Sequence, residues 1–125
     1  MDAASPESVV LRFVDAINQA DLDQLAAMTA PRYTFTDMEG DVYVVEGDDA
    51  VKTSWDEYLS AYPDYRILVG QVMRSGGDVA ILGRTTGSHL DPDVEEEELV
   101  LWIAELEDGR VAEWRIYSTL MCKIG

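Results

Sequence analysis

The chain has 125 residues, 47% of them apolar, and carries 9 basic against 25 acidic side chains, for a net charge of −16. That length fits one domain, residues 1–125, with a sizeable core. The charge repels phosphate backbones and anionic lipid, so neither nucleic acid nor a membrane surface is an expected partner. No apolar run is long enough to span a bilayer. With a single cysteine, Cys122, no intrachain disulfide can form, which points to a reducing interior. Met1 to Ser5 has neither the basic start nor the apolar core of a signal peptide, and a cytoplasmic protein is expected.

Ser5-Pro6 opens the first predicted helix, with Ser5 as cap and Pro6 in the first helical position. Val9, Val10, Phe13, Val14 and Ile17 recur at helical spacing and form one buried stripe. Asn18 to Asp21 turns a corner, and Asp21 caps a short second helix, Leu22 to Met28, which Ala30-Pro31 ends. Arg32 to Met38 reads as a strand rich in threonine and aromatics, Glu39-Gly40-Asp41 as a turn, and Val42 to Glu46 as the returning strand. Gly47-Asp48-Asp49 caps a third helix, Ala50 to about Ala61, with Val51, Trp55, Tyr58, Leu59 and Tyr62 on one side.

Strands are then predicted at Tyr65 to Arg74, Val79 to His89, Glu96 to Leu106 and Arg110 to Met121. Turn chemistry separates them at Ser75-Gly76-Gly77-Asp78, Leu90-Asp91-Pro92-Asp93 and Glu107-Asp108-Gly109. Helices first and a strand meander last argue an α+β domain, with an antiparallel or mixed sheet curling round the first helix to leave a cone with an open end. The acidic run of Asp93 and Glu95 to Glu98 lacks the spacing of a calcium loop and reads as a solvated strand entry. One histidine and one cysteine cannot build a standard zinc site. No phosphate loop or nucleophile elbow is present, and no metal or organic cofactor is expected.

Four segments resemble the nuclear-transport-factor-like superfamily, in particular its SnoaL-like branch (polyketide cyclase-like and ketosteroid isomerase-like domains). They are Arg12 to Asn18 with Asp21-Leu22-Asp23, Phe35 to Gly40, Tyr62 to Tyr65, and Gly87-Ser88-His89 followed by Asp108 to Trp114. The resemblance covers nearly the whole chain and implies a cystatin-like α+β barrel, a cone around a small-molecule pocket. It also implies acid–base isomerisation, cyclisation or hydration with Asp37 as the proton-transfer group. Apolar walls around such a carboxylate would raise its pKa. The plain alternative for Asp37 is a strand-end residue that caps the turn at Gly40.

Three family positions depart from the pattern. Phe13 stands where isomerase-like relatives carry a tyrosine donor, Leu101 where they carry a protonated aspartate, and Ser118 where cyclase-like relatives carry an acid–base aspartate. These favour the competing reading, a ligand-binding or dimerisation module without catalysis. His89 is the second candidate catalytic residue, as a partner of Asp37 if both point inward, or else as a rim histidine bonded to its loop. Arg84 is expected on the outer sheet surface. The expected pocket wall comprises Phe13, Ile17, Tyr33, Trp55, Tyr58, Leu101, Trp114, Ile116 and Ser118, a surface suited to a small, planar, apolar molecule. Apolar side chains on the outer face of the last strands point to a homodimer.

Overall fold

The computed structural model describes residues 5–118. Helix α1 spans Pro6–Gln19, and the Ser5 side chain accepts from the Ser8 amide as cap. Its stripe of Val9, Val10, Phe13, Val14, Ala16 and Ile17 is buried against β3 (Arg66–Ser75) and β4 (Asp78–Thr86). Asn18 fixes this docking: its amide group donates to the Ile67 carbonyl at 3.0 Å, and its oxygen accepts from the Ile67 amide at 2.7 Å. Helix α2, Leu22–Ala27, is capped by Asp21 and packs against both α1 and α3 (Asp48–Ala61).

Six strands form one sheet in the order β2-β1-β6-β5-β4-β3. Strands β1 (Thr29–Thr36) and β2 (Val42–Glu46) make a hairpin, and β1 runs parallel to β6 (Arg110–Ser118). The remaining neighbours, including β5 (Val100–Glu107), are antiparallel. The ladder slips between Thr29 and Thr34, between Val69 and Gln71, and between Glu105 and Leu106. Such bulges bend a sheet and sharpen its twist, which here folds it round the helices. Strand β1 starts earlier than expected, before Pro31, because Pro31 falls within the first slip and removes no ladder donor. At the second slip, a Cβ on Gly83 would overlap the Leu68 carbonyl oxygen, so only glycine fits there.

Two expectations are corrected. Strand β4 ends at Thr86 rather than at His89, because Gly87, at φ +68°, turns the chain against the backbone of Asp64. The acidic run is not a strand entry but a short helix, α4, Pro92–Glu97. Asp91 accepts from the Asp93 amide and Pro92 takes the first position, the same start signal as at Ser5-Pro6. Nor is the run wholly solvated: Glu95 is 9% exposed and Glu98 2%. The expected continuation of the last strand to Met121, and Cys122, lie outside the described residues.

The core lies between the concave sheet face and α1–α3, with Trp102, Trp114, Phe13 and Tyr33 its largest fully buried side chains. Among the described residues no helix is long and apolar enough to cross a membrane.

Candidate functional site

A cavity of about 1050 Å³ opens between α3, the β1–β2 hairpin and the loop that follows β4. Five of the nine expected wall residues line it: Tyr33, Trp55, Tyr58, Trp114 and Ile116. The other four do not. Phe13 and Ile17 are fully buried one layer below, where the Phe13 ring meets Trp55 edge-on at 6.0 Å and Trp114 at 5.1 Å. Leu101 faces the opposite side of the sheet, because strand parity turns Val100, Trp102 and Ala104 inward. The inward neighbours at the family's late-strand position are thus a valine and a tryptophan, neither of them an acid. Ser118 has the parity of Trp114 but is buried at the end of β6, off the cavity wall. Tyr62, from the same predicted helix side as Trp55 and Tyr58, and Phe35, Tyr43 and Tyr65, which the patterns did not single out as pocket, complete an aromatic lining.

Asp37 and His89 both line the cavity, and no hydrogen bond joins them. Asp37 Oδ1 accepts from the amides of Glu39 and Asp41, each at 3.0 Å, and Oδ2 accepts from the Tyr43 hydroxyl at 3.3 Å. Backbone bonds from Gly40 to Asp37 and from Asp37 to Asp41 close the same turn. The carboxylate therefore builds the hairpin at the mouth of the cavity. The side-chain oxygens of Asp37, Glu39 and Asp41 lie within 4.8 Å of one another, close enough to share a cation. The turn geometry accounts for that clustering, and we assign no metal to it.

The partner of His89 is Tyr58. The Tyr58 hydroxyl lies 2.8 Å from His89 Nδ1 and accepts from the His89 amide at 3.3 Å. The phenol and the imidazole nitrogen are thereby joined, with the donor between them set by the ring's tautomer. Burial pushes the Tyr58 pKa up to about 12, the His89 amide opposes this, and the Tyr62 and Glu95 charges add to it. The rings of Tyr62 and Tyr65 pack against Tyr58, and Tyr62 also meets the His89 ring.

Glu95 holds the loop that carries His89. Its Oε2 accepts from the Thr85 hydroxyl at 2.7 Å and from the Ser88 amide at 3.1 Å. Burial alone would raise the Glu95 pKa; the hydrogen bonds from Ser88, Thr85 and the Gly87 amide outweigh it and hold the carboxyl below its ordinary range. Sequence reasoning missed this residue by reading the acidic run as surface. The Asp91-Pro92 start signal was the available clue, since it puts Glu95 on a helix turn facing the preceding strand. Arg84 faces outward as expected, and its Nη1 donates to the Glu96 carbonyl at 2.8 Å.

Two donors in the lining have no partner among the described residues: the Tyr33 hydroxyl and the Trp55 indole N–H. Tyr33 is only 2% exposed, and burial pushes its pKa well up, so the hydroxyl stays protonated at neutral pH. A buried, unpaired hydroxyl costs about 1–3 kcal/mol. Tyr33→Phe is therefore expected to leave stability unchanged or raise it by up to about 1 kcal/mol in urea denaturation. A loss above that would show that water or another group satisfies the hydroxyl in solution.

A mixed α+β domain whose curved sheet wraps its helices and leaves an aromatic-lined opening belongs to the cystatin-like, nuclear-transport-factor-like class of folds. Residues 10–114 match the SnoaL-like domain model, and the chain belongs to that family. An uncharacterised cystatin-fold protein of Novosphingobium aromaticivorans superposes with a TM-score of 0.76 at 14% identity, covering 91% of this chain and 98% of its own. Bal32a, from a soil-derived mobile gene cassette, gives 0.74 at 17% identity over 94% and 91%. IdmH of Streptomyces antibioticus, a candidate polyketide cyclase, gives 0.72 at 19% identity over 94% of each chain. At these identities the likeness is one of fold. No curated protein matches the sequence.

Proposed function

We propose that this protein binds a planar, apolar small molecule in the cavity. The observation that carries the reading is the lining itself: aromatic side chains from α3, β1, β2 and β6 converge on one open space. Flat apolar ligands suit such walls, and the residues carrying the unpartnered Tyr33 hydroxyl and Trp55 N–H belong to the same lining. Protein purified without added ligand and analysed by native mass spectrometry should carry a co-purifying molecule, or bind planar aromatics by calorimetry. Failure of both removes the proposal.

Acid–base turnover of the bound molecule (isomerisation, cyclisation or hydration) is the second reading. The Tyr58–His89 hydrogen bond in the wall favours it, as does the fold shared with IdmH. Asp37 is the family's proton-transfer position, yet here both its oxygens are engaged by the turn. Asp37→Asn assayed against ketones, epoxides and polyketide-like aromatics decides its role. Unchanged turnover of any substrate found takes Asp37 out of the mechanism.

The outer sheet face supports a homodimer, as part of the same proposal. Leu68 is 50% exposed and Met73 40%, beside half-exposed Leu82, Leu101 and Ile103. A second subunit would cover them. Sedimentation equilibrium is expected to give twice the chain mass. The lone cysteine and the acidic surface fit a cytoplasmic location.

A further inference from the structure

We propose that the ligand is an apolar organic cation, held with its planar body against the aromatic walls and its ammonium group at the mouth; this rests on the cavity being a ligand site, as argued above. Five carboxylates line the cavity: Asp37, Glu39 and Glu46 from the β1–β2 hairpin, and Asp49 and Glu57 from α3. Among the described residues no lysine or arginine lines it, and its one basic group is His89, hydrogen-bonded to Tyr58. The acids come from two elements, the β1–β2 hairpin and α3, that border the same opening. An anion entering there meets a negative field, whereas an ammonium is drawn in.

The walls recognise the same charge. The faces of tryptophan and tyrosine attract cations within about 6 Å of the ring centre, more strongly where water is excluded. The field at the mouth is already felt by Tyr43: the Asp37 charge, then burial, then its hydrogen bond to Asp37 and the Asp41 and Glu39 charges all raise its pKa. Acidic side chains on a surface would not by themselves define a site. The independent observation is inside: Tyr33, 2% exposed and with an unpartnered hydroxyl, is one of the residues lining the same cavity.

Calorimetry on the full chain with three matched probes tests this: (2-naphthylmethyl)trimethylammonium, 2-naphthylmethanol and 2-naphthylacetate. The cation is expected to bind roughly tenfold or more tightly than the anion at low salt, with the alcohol between them. The gap should narrow several-fold in 0.5 M salt, where the screening length falls to about 4 Å. In the double variant Glu46→Gln with Glu57→Gln, the cation should weaken several-fold relative to the alcohol measured on the same protein. Equal or tighter binding of the anion, or an unchanged cation-to-alcohol ratio in the variant, overturns the charge assignment while leaving a small-molecule pocket in place. If none of the three binds, the pocket reading falls and takes this inference with it.

Discussion

Replacing Phe13 with alanine is expected to destabilise the protein by about 3–5 kcal/mol, the range for truncating a fully buried phenylalanine. Phe13 is completely inaccessible and is in ring contact with Trp55 and Trp114, one from α3 and one from β6. Truncation removes the transfer free energy of the ring and leaves a void that two rigid indoles collapse into poorly. At about 4 °C per kcal/mol for a domain of this size, the melting temperature should fall by roughly 12–20 °C. Phe13→Leu, which keeps most of the volume, should cost clearly less. The ligand consequence follows from the same contacts. Trp55 and Trp114 form part of the cavity wall, so affinity for planar aromatics should fall in Phe13→Ala although Phe13 itself does not line the cavity. Stability within 1 kcal/mol of the native chain in urea denaturation would contradict this account of the core.

The second large effect is at Glu95. Glu95→Ala strips a largely buried, multiply bonded carboxylate from the Thr85 hydroxyl and the Ser88 amide, and leaves these donors without their acceptor. Hydrogen bonds to a charged group contribute about 1.5–3 kcal/mol each and are not additive here, so a loss of roughly 2–4 kcal/mol is expected at pH 7. The pH dependence has a definite sign. The folded-state pKa of Glu95 lies below the ordinary value of 4.5, so the unfolded chain binds its proton first as pH falls. Its stabilisation is therefore fully present above about pH 4.5 and fades as pH drops through the folded value. The gap between native chain and variant should be constant from pH 6 to 8 and shrink toward pH 3. A gap of the same size at both ends would mean that packing, not the carboxylate, carries the effect. A second readout is local. His89 is the only histidine, so one imidazole signal in an NMR spectrum reports on it. Loosening the loop should break its bond to Tyr58 and shift that signal, which a purely global loss of stability would not do in the folded protein.

Much of the fold follows from short-range chemistry along the chain. Ser5-Pro6, the stripe from Val9 to Ile17, the Asp21 cap, the Gly40 turn and the Gly76 and Gly109 hairpins each act within a few residues, and each is where the sequence put it. Periodicity also put Trp55 and Tyr58 on one helix face and Trp114 on one strand face, and these reach the cavity. The misreading of Pro92–Glu97 has a local cause too, since a cap followed by proline was read as a turn leading into a strand.

Sequence therefore determined the element order apart from α4, the family and the aromatic character of the interior, because caps, turns and alternation are set by neighbours in the chain. Only the tertiary structure decided which side chains meet. The partner of His89 is Tyr58, far away in the sequence, rather than Asp37. Glu95 is a clamp rather than surface, and Leu101 faces out rather than in, because the position matched to the family's inward acid has outward parity on β5. Pairings of that kind depend on the bulges that bend the sheet and on where each strand begins. A shift of one residue reverses every side chain on a strand, and no local signal fixes it.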